Sequence, residues 1–225
     1  MKLLACYGGS FDPVHLGHLA VARAVRDGLG ADVACVPAAD PPHKEATHAP
    51  GALRAEMLEL AVAGEPGLGV DRRELERDGP SYTIATLRLL RARQGPHRPI
   101  AWVMGGDSLL QLDTWREWRE LFSHAHVLAV ARPGSPLDDE AIAGRAPAVQ
   151  RQLGFRRRPA AALADSPAGG FAVLELPRLR PESSTEVRRL VAAGGAWEPM
   201  LPPAVAGFIR DRRLYGYGAD AAASL

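Results

Sequence analysis

Two histidines three residues apart, His15 and His18, stand in the stretch YGGSFDPVHLGHLAVARA (7–24), where an apolar run gives way to a helical one. A turn asks for glycine and a helix start for Ser or Asp, so neither demand explains two imidazoles. A lone histidine at a helix start is ordinarily a cap or a surface residue; two of them in GGSFDPVHLGH are not so easily dismissed. Gly8 and Gly9 after the first strand permit a tight turn and a close approach of backbone to ligand. Ser10 and the loop amides can donate to phosphate oxygens, and the positive end of a helix dipole favours an anion there. Both imidazoles, three apart, can then point into one pocket. Neither the GxGxxG fingerprint nor a P-loop is present, and a glycine-rich turn alone is weak evidence.

A second cluster, ESSTEVR (182–188), lies near the C-terminus. Ser183 or Ser184 caps a helix whose free amides face an anion, and Thr185 adds a hydroxyl. Arg188, on the first turns, reaches toward the same anion with a fork of donors. In isolation this is a plain capped helix with a surface arginine.

The elements that must position these groups alternate along the chain. KLLACY (2–7), DVACVP (32–37), IAWVMG (100–105), AHVLAVA (125–131) and FAVLEL (171–176) read as strands, two of them too apolar to face water on either side. Helical patterns run over 18–30, 51–64, 81–93, 183–195 and 202–215, with Ser81 as an N-cap and prolines opening the last. Strands separated by helices imply a doubly wound, Rossmann-like parallel α/β sheet with helices on both faces. The loops after Tyr7, Pro37, Gly105 and Ala131 then share the ligand-binding edge at the carboxyl ends of the strands. The expected organisation is one domain over 1–225. Its least regular stretch is 133–170, rich in Ala, Pro and Arg, read as a peripheral helical insertion or a mobile loop.

The first stretch resembles the HxGH signature of the nucleotidylyltransferase superfamily, and ESSTEVR resembles its ISSTxxR signature. Three middle segments, VPAADPPHK (36–44), RRELERDGPSYTIATL (72–87) and MGGDSLLQLDTWREWREL (104–121), with AVARPG (129–134), are similar to nicotinate-nucleotide adenylyltransferases. The resemblance runs from residue 1 to about 215 and implies adenylyl transfer from ATP to nicotinic acid mononucleotide, with release of pyrophosphate. It implies catalytic roles for His15, His18 and Arg188, and ATP contacts from Gly8, Gly9, Ser10, Phe11, Gly105, Asp107, Ser183, Ser184 and Thr185. Acceptor contacts would come from Lys44, Tyr82, Thr83, Trp115 and Arg132. Trp115 can stack on a cationic pyridine ring, or else be ordinary core. Thr83 and Tyr82 head a helix whose amides accept a carboxylate. Asp107 accepts from ribose hydroxyls or caps the helix behind it. Mg²⁺ is expected with ATP, held by phosphate oxygens and water, with no metal ligands assigned to the protein. Ala38 and Ala39 stand where the family usually has an Asn, and Glu182 where it has an apolar residue, a change expected to alter strand packing more than chemistry.

The bulk numbers narrow the field. Of 27 basic residues only Lys2 and Lys44 are lysines, so most arginines, the FRRRP run at 155–159 among them, read as solvated surface. A formal charge of +1 supplies no field for nucleic acid or an anionic membrane, which argues against a tRNA-binding synthetase relative. Cys6 and Cys35 lie in apolar runs and read as buried free thiols, and no stretch approaches the roughly 20 apolar residues of a membrane span. A cytoplasmic location follows as an expectation, and homo-oligomerisation is left open. Rival readings are a different acceptor (nicotinamide mononucleotide or phosphopantetheine) and a nucleotide sensor without catalysis.

Overall fold

The computed structural model describes residues 1–39, 47–77, 79–131, 136–176, 178 and 181–218. Six strands form one parallel sheet: β1 (Leu4–Gly9), β2 (Asp32–Pro37), β3 (Leu68–Val70), β4 (Ile100–Gly105), β5 (His126–Ala131) and β6 (Phe171–Glu175). Their order across the sheet is β3-β2-β1-β4-β5-β6. The winding reverses between β1 and β4, so the loop after β1 opens into the crevice where such sheets hold ligands.

Period-two alternation divides the sheet between two faces. Cys6, Trp102, Met104, Val127 and Ala129 point into one core, with Ile84, Leu87 and Leu90 of α3 (Thr83–Gln94) against them. Ala5, Val33, Ala101, Val103, Leu128 and Val130 point into another, covered by Ala22 and Val25 of α1 (Leu16–Leu29). A third cluster joins α2 (Gly51–Val62) to the two helices nearest the C-terminus, α8 (Ser184–Ala192) and α9 (Pro203–Asp211). Helices on both faces of a parallel sheet are thus the observed architecture.

The short helices α4 (Gly106–Leu110) and α5 (Leu121–His124) follow β4. Within the stretch expected to be least regular, α6 (Asp139–Arg145) and α7 (Pro147–Leu153) form, followed by a 3₁₀ turn at Ala160–Asp165. Ile142, Val149, Leu153 and Leu163 are fully buried, so this stretch contributes to the cores rather than lying on their periphery. β3 has no counterpart in the sequence reading, because its three residues are too few to show a period. Among the described residues no helix is long and apolar enough to cross a membrane.

Candidate active site

β1 runs two residues further than its apolar run and ends in the glycines, which pair in register with Val36 and Pro37. Gly8 and Gly9 are therefore strand rather than turn, and packing is what requires their small size. A Cβ on Gly8 would lie 2.2 Å from Cζ2 of Trp102, and one on Gly9 3.1 Å from Cζ of Phe11. The turn falls on Phe11, whose φ of 48° is left-handed. Its buried ring is set edge-on to Tyr7 at 5.4 Å and to His18 at 4.9 Å.

Helix α1 starts at Leu16, two residues before the spacing predicts, and His15 is its N-cap. The imidazoles take the two positions of a capping box: the His15 backbone N–H donates to Nδ1 of His18 at 3.2 Å. Their rings stack with centroids 3.7 Å apart and planes inclined by 33°. Buried His15 and half-buried His18 therefore face one spot at the end of β1. Gly17 is indispensable to that stack, since a Cβ there would sit 2.9 Å from Nδ1 of His15.

Helix α8 docks on the same loop. Ser183 caps it, accepting from the Glu186 N–H at 3.2 Å. Ser184 Oγ donates to the Pro13 carbonyl at 2.9 Å, and Arg188 Nη1 to the Asp12 carbonyl at 2.6 Å. Thr185 Oγ1 accepts weakly from Arg188 Nη2 at 3.5 Å. The structure thus brings His15, His18, Ser183, Ser184, Thr185 and Arg188 to one turn from ends of the chain more than 160 residues apart. Glu182 lies beyond the end of β6, and the expected change in strand packing is not what it makes. It is buried, with Oε2 3.5 Å from the Cβ position of Gly17.

Three residues that the sequence reading did not single out hold this turn. Asp12 is buried, and its carboxylate accepts from the His48 and Ala49 N–H groups at 2.6 and 3.2 Å and from Tyr215 Oη at 2.8 Å. Burial and the Asp12 carboxylate raise the Tyr215 phenol well above its ordinary value. Arg54 is fully buried and donates to the carbonyls of Ser10, Ala38 and Ala49 at 2.6, 2.7 and 3.0 Å, tying the loops after β1 and β2 together. In an arginine-rich chain nothing in its spacing separates Arg54 from the solvated majority, and Asp12 reads as a loop residue.

Beside the turn opens a cleft of about 870 Å³, its open mouth included, of the size that takes a small ligand. Gly8, Gly9, Ser10, Tyr82, Thr83 and Trp115 line it, whereas Phe11, His15, His18, Gly105 and Arg188 are not among its lining residues. Trp102, Ser108, Gln111, Glu74 and Arg116 also line it. Tyr82, not Ser81, is the N-cap of α3, so Thr83 opens the helix as expected but the cap shifts by one. Ser81 Oγ instead accepts from the Ala39 N–H at 2.9 Å, a contact that ties this loop where the family's Asn is missing. Glu74 accepts from Thr86 Oγ1 at 2.6 Å, and burial raises its carboxyl above the usual range against that bond. Gly105 is the N-cap of α4, so Asp107 does not cap it; Asp107 is exposed on the first turn and is not among the cleft's lining residues. Lys44 and Arg132 lie outside the described residues.

The cytidylyltransferase-like family model matches residues 6–190. A Stenotrophomonas maltophilia protein named "Probable nicotinate-nucleotide adenylyltransferase" is 48% identical over 220 residues, 96% of this chain and 97% of that one. The chain belongs to the nicotinate-nucleotide adenylyltransferases. A Laribacter hongkongensis relative of the same name is 43% identical over 214 residues, 94% of each chain. In fold, this adenylyltransferase resembles a Plasmodium falciparum nicotinic acid mononucleotide adenylyltransferase solved with NaAD, with a TM-score of 0.74 at 16% identity over 96% of this chain and 98% of that one.

Proposed function

We propose that this chain transfers the adenylyl group of ATP to nicotinic acid mononucleotide, giving nicotinic acid adenine dinucleotide and pyrophosphate in NAD biosynthesis. The observation that carries the reading is the stacked His15–His18 pair with Arg188 delivered to the same turn, which adjoins, through Gly9 and Ser10, a cleft lined by Trp115 and the N-terminus of α3. A phosphate oxygen of the mononucleotide attacks the α-phosphorus of ATP in line. The bond from that phosphorus to the bridging oxygen breaks, and pyrophosphate leaves with its electron pair. Both reactants are polyanions, so the protein's task is to orient them and to stabilise charge on the transferring and leaving phosphates.

His15, His18 and Arg188 supply that stabilisation, with the amides at the starts of α1 and α8. Phosphate beside an imidazole favours its cationic form, so one histidine of the pair is charged in the ATP complex. Gly8, Gly9, Ser10, Phe11, Gly105 and Asp107 belong with the ATP side. Tyr82, Thr83, Trp115, Lys44 and Arg132 belong with the acceptor. The donors at the turn are imidazoles, a guanidinium, hydroxyls and amides, a set that suits phosphate oxygens. Among the described residues no group of three His, Cys, Asp or Glu side chains could hold a metal ion. Mg²⁺, implied by the use of ATP, would be held by phosphate oxygens and water and would supply neutralisation of phosphate charge. We read residues 1–225 as one domain, a reading supported by the single six-stranded sheet among the described residues, and its location as cytoplasmic. The test is pyrophosphate release with ATP and Mg²⁺. Turnover with nicotinic acid mononucleotide, lost in His18→Asn, supports the reading; an unaffected His18→Asn rate rejects the role of the pair.

A further inference from the structure

Among the described residues lining the cleft, Arg116 is the single cation, and the chemistry above does not use it. It follows Trp115 directly, between a 3₁₀ turn at Leu112–Thr114 and another at Trp118–Glu120. Trp115 is extended and Glu117 left-handed (φ 52°), and this pair of conformations sets Arg116 apart from both turns. Its guanidinium carbon lies 5.1 Å from the centre of the Tyr82 ring, the N-cap of α3. A cation is thus held over the helix start that Thr83 opens.

The other charges around it are accounted for. Arg116 Nε meets Glu117 Oε1 at 3.3 Å, but the second oxygen of Glu117 is taken by Arg88 at 2.5 Å. Glu74, the carboxylate of the cleft, accepts the Thr86 hydroxyl and is pushed by burial toward its neutral form. An anion entering here meets a guanidinium fork and the positive end of α3.

We infer that Arg116 is a specificity-determining residue, whose guanidinium with the start of α3 selects an acceptor bearing a pyridine carboxylate over its carboxamide. The inference rests on the proposed function and names the residue that sets its acid preference. A carboxylate offers two oxygens to the fork. A carboxamide offers one, and turns an NH₂ toward donors it cannot pair with. The Arg116 side chain is 61% exposed, which places the effect at the lower end of the charge-assisted range.

The test measures kcat/KM for nicotinic acid mononucleotide and nicotinamide mononucleotide in the wild type, Arg116→Gln and Arg116→Lys. The expected result is a fall of about tenfold in the acid-to-amide ratio in Arg116→Gln, seen mainly in the KM of the acid, with part restored by lysine. An unchanged ratio, or equal losses with both acceptors, overturns the assignment while leaving the proposed function in place. A wild type that does not use the acid overturns the function itself, and this inference with it.

Discussion

A methyl group on Gly17 would press on Nδ1 of His15, so on the proposed mechanism the glycine between the histidines serves the chemistry as well as the packing. Gly17→Ala raises helix propensity by close to 1 kcal/mol, so stability is expected to hold while the His15–His18 stack is disturbed. The expected outcome is a kcat lowered by roughly 100-fold, within the usual range for a displaced charge-stabilising group, with thermal unfolding little changed. A variant that unfolds early and keeps its specific activity would show that packing alone requires the glycine. On the proposed role of His18, acting on charge that develops in the transition state, His18→Asn is expected to cost about 10²–10³ in kcat with a smaller change in the KM for ATP. Steady-state pyrophosphate release reads both. The two histidines were legible in the sequence because Ser or Asp would ordinarily serve a helix start, so the choice of two imidazoles there asks for a further reason even though they also form its capping box. Arg54 was not, because its meaning comes from carbonyls of Ser10, Ala38 and Ala49 that only the fold assembles.

At the scale of elements, strands β2 and β4 fall on their predicted residues, since a continuous apolar run bounded by turn residues admits few other readings. Helix starts drift by one or two residues. His15 rather than a Ser or Asp caps α1, and Tyr82 rather than Ser81 caps α3, the Ser81 hydroxyl being drawn to Ala39 across the cleft. Arg54 is the cross-brace between elements. Arg54→Ala strands the buried Ala49 carbonyl and the half-buried carbonyls of Ser10 and Ala38 at once and is expected to cost about 3 kcal/mol in urea unfolding. Arg54→Lys, without the fork, is expected to recover little of it. Glu74 gives these elements a pH dependence. Its carboxyl is weaker in the folded chain than the ordinary 4.5, so the folded state holds that proton longer. The stability this brings is whole below 4.5 and is lost as pH rises through the folded value. Glu74→Gln keeps an acceptor for Thr86 and removes the titration. Its stability relative to wild type is therefore expected to grow as pH rises from 4.5, measured by chemical denaturation across that range.

For the whole molecule, the parallel order β3-β2-β1-β4-β5-β6 opens a crevice after β1, and α8 docks on that same loop through Ser184 and Arg188. Tyr215, near the C-terminus, closes the circuit by donating to Asp12. The two cysteines sit inside the cores, where burial pushes both thiols up to about 12. Neither is expected to react with a disulfide reagent at neutral pH in the folded protein, and two thiols per chain should appear on unfolding. Fast labelling of the native protein would mean that the sheet opens far more readily than its packing implies.

The proposed reaction is adenylyl transfer to an acid acceptor at the turn built by His15, His18 and Arg188. The most direct measurement is pyrophosphate release from ATP and Mg²⁺ with nicotinic acid mononucleotide, nicotinamide mononucleotide and phosphopantetheine offered in parallel. Rapid turnover is expected with the first and a kcat/KM at least tenfold lower with the second, from the loss of a charge-assisted contact. Turnover confined to another acceptor, or none with any of the three, would contradict it.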